Sequence, residues 1–315
     1  MIICKCPLRN DLCWFCDFYC IIWVQYLVER GEMKSGMIPD KEVSMPNIVI
    51  TGCSSGIGLE TAIYLKERGV RVYPTARREE DVEKLQAMGF EDAMKLDVAS
   101  SEEIEAVISR VLEKEGTIDV WFNNAGYGQP GAIEDLPADV LREQFETNVF
   151  GLHECTRQII PVMRKQGYGK IIQHSSVLGL ISLFGRGAYN ASKYAIEGLT
   201  DTLRQELAGT QIYPVLLNTG PITSHFRQTA MQRLRENIDI EHSVFKERYL
   251  KNLQAKKSEV PFNEEAVSVA KVVDEIIRME RPRPRYYITK ATYLLGYLKR
   301  ILGTAMLDRI LRKIG

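Results

Sequence analysis

An excess of charge of either sign is missing from this chain: over 315 residues, 41 lysines and arginines stand against 41 aspartates and glutamates. No overall field draws it to nucleic acid, and a small neutral or locally steered ligand is the expected partner. Cysteine is scarce outside one segment. Cys4, Cys6, Cys13, Cys16 and Cys20 crowd the N-terminus, which leaves only Cys53 and Cys155 for the rest of the chain. That odd, clustered set argues against a secreted disulfide scaffold and fits a reducing cytoplasm. Of the 4 histidines, His153, His225 and His242 lack ligand spacing, so no metal is expected. His174 reads as a satisfied histidine of a sheet strand. After Pro46 there is no internal repeat, low-complexity tract or linker, which favours one domain over two. With 45% hydrophobic and 26% charged residues the chain is not disordered and has enough length for a substantial core.

Residues 1–45 differ in texture from the remainder of the chain. The run Leu12 to Val28, "LCWFCDFYCIIWVQYLV", is apolar enough to suggest a membrane helix. It is nonetheless short for a hydrocarbon layer about 30 Å thick, and it holds Asp17 and Gln25. No small-residue cleavage site comes after it, so a secretory signal fits poorly. Three readings stay open, in this order: a nonessential extension before a unit starting near Met45, a membrane-associating anchor, and a metal site.

From Pro46 the pattern alternates. "NIVITG" predicts a strand and "IGLETAIYLKERG" a helix ended by Gly69. Strand "VRVYPTA", a helix in "REEDVEKLQAMG", a short strand near "AMKLDV" and helix "SSEEIEAVISRVLEKEG" come next. Ser100 and Glu103 have capping-box spacing. Strand "IDVWFNNAG", a long helical region to about Gln166, strand "GKIIQHSS", a helix over "AYNASKYAIEG" and strand "IYPVLLN" complete the series. Strands and helices in strict turn mean parallel strands joined by crossover helices, hence an α/β fold with a doubly wound parallel sheet of Rossmann type. The expected division is an extension over 1–45 and one domain over 46–315.

Ligands of such sheets bind beyond the carboxyl ends of the strands. "TGCSSGIG", Thr51 to Gly58, occupies the first of those turns. Missing side chains at Gly52, Gly56 and Gly58 let the backbone N–H groups of Ser54, Ser55 and Ile57 approach a pyrophosphate. Cys53 in that turn reads as a small filler. Further on, Tyr189 and Lys193 are four apart in a helix and so share one face. A free tyrosine titrates near 10, and bringing it to neutrality needs about 4 kcal/mol. A lysine charge about 4 Å away supplies a term of that order at an effective dielectric near 20. The pair suits a phenol that gives a proton to a carbonyl oxygen as hydride reaches carbon, and takes it back in the reverse direction.

With its TGxxxGxG spacing, "NNAG" at Asn123 to Gly126, Asn148 in "TNVFG", Ser176, and YxxxK at Tyr189 and Lys193, the chain resembles the short-chain dehydrogenase/reductase family. The likeness runs from about Asn47 to Thr223, and "TGCSSGIG", "SSVLGL" and "GPITSHF" are similar to its steroid and retinol dehydrogenase-like branch. The resemblance implies that Tyr189 is the general acid/base, that Lys193 also holds the nicotinamide ribose, that Ser176 polarises the substrate oxygen, and that Asn148 holds a water leading from Lys193. It implies cofactor contacts from Asp97 and Val98, from Asn124, Ala125 and Gly126, and from Ile222 and Thr223. The family's usual Pro-Gly is here Thr219-Gly220, with Pro221 after it. At the end of the second strand, Ala76 stands where an acidic residue would select NAD, and Arg77 and Arg78 come directly after. A small residue and a guanidinium favour the 2′-phosphate of NADP.

The substrate is less legible. Phe226, Met231, Leu234, Val244, Phe245, Tyr249 and Leu250 lie in a helical, charge-rich stretch after Pro221, where they either line an apolar pocket or pack a lid. "YLLGYLKRILGTAMLDRILRKIG" is amphipathic, and reads as a packed C-terminal helix or as one resting on a membrane surface. Together these predict a lipophilic carbonyl or alcohol substrate such as a retinoid, steroid or long-chain aldehyde. The expected enzyme is an NADP(H)-dependent carbonyl reductase or alcohol dehydrogenase, cytoplasmic or peripheral at a membrane and, by family habit, a homo-oligomer. Its rival is a noncatalytic NADP-binding redox sensor, which has no reason to keep Asn148, Ser176, Tyr189 and Lys193 together. An epimerase or dehydratase would carry TGxxGxxG, which is absent.

Overall fold

A computed structural model describes residues 45–254 and 262–314. The N-terminal anchor, extension and metal readings fall, Met45 apart, outside the described residues. In chain order the strands are β1 (Asn47–Ile50), β2 (Arg71–Ala76), β3 (Met94–Lys95), β4 (Val120–Asn123), β5 (Tyr168–Ser176), β6 (Gln211–Thr219), β7 (Ile222–Thr223), β8 (Glu264–Glu265) and β9 (Arg285–Ile288). A 7-stranded sheet has the order β3-β2-β1-β4-β5-β6-β9, and its neighbours all pair parallel. β7 and β8 form a separate two-stranded ribbon.

Continuous apolar runs, whose successive side chains point to opposite faces, explain why the sheet is covered on both. Ile48, Ile50, Phe122, Ile172 and Leu217 point to one side, against Ala62, Leu65, Val269 and Val273. Val49, Trp121 and Ile171 point to the other, against Ile104, Val107, Cys155 and Ile159. Strands apolar on both faces belong in a parallel sheet whose crossover helices exclude water. Those helices are α1 (Gly56–Lys66), α2 (Glu79–Ala87), α3 (Ser101–Glu115), α4 (Ala138–Phe145), α5 (Leu152–Gln166) and α6 (Gly187–Glu206). Then come α7 (Phe226–Asn237), α8 (Lys246–Gln254), α9 (Val267–Arg278), α10 (Lys290–Ile301) and α11 (Thr304–Ile314).

Local sequence rules hold with instructive departures. The Ser100 side chain accepts the Glu103 N–H at 3.2 Å, which is half of a capping box. The other half is missing because the Glu103 carboxylate accepts the Asp97 N–H at 2.6 Å and binds Lys95 instead. The long helical region is two helices joined by a π turn over Glu146–Gly151. The C-terminal run is likewise two helices, parted at Leu302 and Gly303. β9, preceded by Pro282 and Pro284, extends the sheet beyond the strands that the sequence pattern picks out.

Candidate active site

Strand order reverses between β1 and β4, so the loops leaving these two strands part there and open a crevice. Thr51, at the end of β1, stitches the loops together: its hydroxyl oxygen accepts the N–H groups of Asn124 at 3.0 Å and Ala125 at 2.9 Å. Asn124 Nδ2 donates back to the carbonyls of Thr51 and Gly52 at 2.8 and 3.0 Å. Gly52 has φ +72°, and a Cβ there would lie 2.8 Å from Ala125 Cα. One on Gly58 would meet Asn124 Nδ2 at 2.5 Å. These glycines are thus required by the close approach of two loops as well as by any ligand.

What is left at the turn suits an anion. Ser54 and Ser55 are exposed. Ser55, the N-cap of α1, makes no side-chain cap bond, and the first turn carries no acidic residue. The leading N–H groups of α1 are therefore uncapped by any side chain, and the helix dipole favours negative charge there. Half-buried Ile57 packs against the core cluster below. From the opposite side Ser224, just after Ile222 and Thr223, comes within 3.2 Å of where a Gly56 Cβ would be. Thr223 is held by Asn263 Nδ2 at 2.5 Å and donates to Glu265 at 3.0 Å. The loop with the altered Thr219-Gly220-Pro221 sequence thus still reaches across to the glycine turn. A pyrophosphate fits this cradle. Arg77 is exposed at the end of β2, whereas Arg78 is ion-paired with Asp81 at 2.9 Å. Asp97 comes after β3 and accepts the Ala99 N–H at 3.0 Å; Val98 beside it is buried against Gly151. Gly126 borders Asn148, whose Oδ1 lies 3.0 Å from a Cβ built there.

The helix α6 carries Tyr189 and Lys193 on one face, with the Lys193 Nζ 5.5 Å from the centre of the Tyr189 ring. Lys193 is only 6% exposed and donates to the His174 carbonyl at 2.6 Å. Burial brings its ammonium down to about 8, against a smaller upward pull from Glu197. Burial pushes the Tyr189 phenol up to about 12, while a hydrogen bond with Ser176 and the charge of Arg186 act downward. This differs from the expected order of effects: desolvation outweighs the neighbouring cations, and Arg186 is the cation that acts on the phenol. Ser176, at the end of β5, also donates to the Thr219 carbonyl at 3.3 Å and accepts the Leu178 N–H at 3.1 Å.

Asn148 sits in the π turn, a one-residue dislocation often found at functional sites. It brackets the Tyr127 backbone, accepting its N–H at 3.1 Å and donating to its carbonyl at 2.9 Å, and reaches Ser192 at 3.2 Å. Among the described residues no hydrogen bond links it directly to Lys193. His174 bridges Asn124 at 3.0 Å and Thr219 at 3.2 Å. Burial, with the Lys193 charge, lowers it to about 3, so it is a neutral strut between loops. Cys53 is buried, its thiol pushed up to about 12 by desolvation.

Sequence reasoning missed two participants, Arg186 and Glu197. Arg186 lies one turn before Tyr189, a spacing that was there to be read. Glu197, one turn after Lys193, is buried and bonded to Ser175, to Asn218 at 2.6 Å and to Arg285. That network joins α6 to β5, β6 and β9, and long-range pairings of this kind leave no local signal. Phe226 opens α7 and sets its ring 5.4 Å from Tyr189 at 61°. The other apolar residues of the stretch mostly pack the lid: Leu234 and Tyr249 are buried with Ala132 and Ile238, Met231 and Phe245 lie against them, and Val244 is 82% exposed.

These features define an oxidoreductase of the Rossmann-type α/β class. Residues 46–235 match the short chain dehydrogenase family, and the chain belongs to it. It is 36% identical over 283 residues to the oxidoreductase YbbO of Escherichia coli K12, covering 89% of this chain and 98% of that protein. It is 34% identical over 188 residues to human retinol dehydrogenase 8, covering 57% and 60%. Among solved structures, a variant of actinorhodin polyketide ketoreductase with NADPH superposes with a TM-score of 0.65 at 29% identity, covering 78% of this chain and 95% of that one. A Burkholderia phymatum short chain dehydrogenase/reductase in complex with NAD gives 0.65 at 25% identity, covering 87% and 97%.

Proposed function

We propose that this chain is an NADP(H)-dependent carbonyl reductase or alcohol dehydrogenase acting on a lipophilic aldehyde, ketone, retinoid or steroid. The observation that carries the reading is the convergence of Ser176, Tyr189 and Lys193 at the carboxyl end of β5, beside the glycine cradle. Bound NADP(H) supplies or accepts the hydride. In reduction, the Tyr189 hydroxyl gives its proton to the substrate oxygen as charge builds there, and Ser176 holds that oxygen. A phenol near 12 is fully protonated at neutral pH, which suits an acid. Lys193, near 8, is able to pass a proton toward the spent phenolate at close to neutral pH. Asn148 fixes the Tyr127 segment that walls this corner. Arg77, without an ion-pair partner among the described residues, supports NADP over NAD.

Support for a lipophilic substrate comes from Phe226 on the catalytic tyrosine and from the names of relatives such as retinol dehydrogenase. In this reading residues 46–315 are the catalytic domain, residues 1–45 an extension, and the protein a cytoplasmic homo-oligomer with a peripheral membrane contact. Following NADPH absorbance against a panel of aldehydes, ketones and alcohols tests it. Turnover favouring long apolar carbonyls is expected. NADP binding without turnover on any of them would instead indicate a redox sensor.

A further inference from the structure

The C-terminal helices carry a partly exposed apolar stripe, of which the Tyr293 and Tyr297 rings rest edge-on against Tyr287 of β9. On α10, Tyr293, Leu294, Tyr297 and Ile301 are 46%, 52%, 44% and 76% exposed. At 100° per residue they fall within one arc of the helix, with Lys290 in the same arc and Arg300 at its margin. The opposite face is used: Ala291, Thr292 and Gly296 are buried. Met306, on α11, adds another apolar side chain at 57% exposure.

The charge around this stripe is as one-sided as the chain is balanced. Across residues 290–314 the basic residues are Lys290, Lys299, Arg300, Arg309, Arg312 and Lys313, and Asp308 is the one acid. Tyrosines with a half-exposed ring, aliphatic side chains along one arc and flanking lysine and arginine form the pattern of a helix lying in the plane of an anionic bilayer surface. Among the described residues no helix is long and apolar enough to cross a membrane.

The stripe also adjoins the substrate side of the site. Leu307 and Leu311 of α11 are buried with Val177 and Ile181, in the segment directly after Ser176, and Leu295, Leu298 and Leu302 pack against them. Thr289, which caps α10, fills the space beside Gly220 at the end of β6. We infer that α10 and α11 dock this protein on anionic lipid through Tyr293, Leu294, Tyr297 and Ile301, with the segment after Ser176 next to the bilayer. Binding to the surface is independent of catalysis; the benefit to a lipophilic substrate rests on the function proposed above.

The test uses the full chain with vesicles of phosphatidylcholine alone or mixed with phosphatidylglycerol. Three results are expected: cosedimentation with the mixed vesicles that weakens as salt rises, slowed amide exchange in α10 peptides on the vesicles, and about tenfold weaker partitioning for the exposed double variant L294S/I301S and for K290Q/R300Q. Reduction of a small water-soluble carbonyl should be unchanged in both variants, so a failure of the docking idea and a failure of the enzyme reading are told apart. Unchanged exchange in α10, with any retention traced to other segments, overturns the inference. So does L294S/I301S altering the oligomeric mass while vesicle binding is absent or unaffected, which would assign the stripe to a second copy.

Discussion

The Phe226 ring stands edge-on to the Tyr189 ring, centroids 5.4 Å apart, and Gly128 makes room for both: a Cβ there would lie 2.7 Å from the Phe226 ring and 3.6 Å from that of Tyr189. The residue opening the lid is therefore the one that roofs the phenol. Replacing Phe226 with Ala removes apolar contact for a bulky substrate and leaves a small one unaffected. Expected is a loss of about tenfold in kcat/KM for a long-chain or ring-bearing carbonyl, with little change for a two-carbon aldehyde. Steady-state kinetics on the two substrates decide it; equal losses on both would assign Phe226 to lid stability alone.

Tyr189→Phe keeps the ring against Phe226 and deletes the proposed proton donor. Turnover should fall by about a thousandfold or more, while NADPH binding, followed by fluorescence titration, stays within about twofold of wild type. A mutant with near-normal turnover would end the general-acid assignment.

In the proposed reading, cofactor choice turns on one exposed guanidinium, that of Arg77. Arg77→Glu places a carboxylate where a 2′-phosphate would be recognised, and should weaken NADP binding by about a hundredfold while leaving NAD unchanged or tighter. Calorimetric titration of both dinucleotides provides the comparison.

The charge of Arg186 favours the phenolate of Tyr189. Removing that charge in Arg186→Met therefore raises the tyrosine pKa further. Alcohol oxidation, which needs phenolate, should shift its rise to more alkaline pH and slow by about threefold or more at a fixed pH below it. Reduction at neutral pH uses the protonated phenol and should hold. A pH–rate profile in each direction tests the sign.

Lys193 carries a desolvation penalty in the fold. Its folded value of about 8 lies below the ordinary 10.5, so between those pH values the unfolded chain binds more protons and stability rises with pH. Below 8 the penalty is present in full. Lys193→Met removes it, at the loss of turnover, and should stabilise the fold by about 1–3 kcal/mol, a rise of about 2 °C or more in Tm at neutral pH. The advantage over wild type should shrink toward pH 10.5, as thermal melts across pH will show. A lower Tm at pH 7 would mean that the bond to the His174 carbonyl outweighs desolvation.

Most of the fold was legible in the chain because its signals are local. Continuous apolar runs in "NIVI" and "VWFN", helical spacing after Gly58, and glycine after several helices, as at Gly69, Gly116 and Gly167, are read within a dozen residues, and they dictate alternating parallel strands. Tyr189 and Lys193 were legible for the same reason, four apart in a helix. The π turn at Asn148 was not, since it depends on how α4 and α5 settle against the sheet. Nor was β9, whose four residues become a strand only when β6 offers an edge.

The sequence by itself determined the layered α/β architecture, the glycine cradle and the pairing of phenol with ammonium, all matters of spacing along one chain. Only the tertiary structure decided the electrostatics. Burial set Tyr189 high and Lys193 low, turned the Lys193 ammonium to the His174 carbonyl, and brought Arg186 and Phe226 to the phenol. Desolvation is a property of everything packed around a group, and no stretch of sequence contains it.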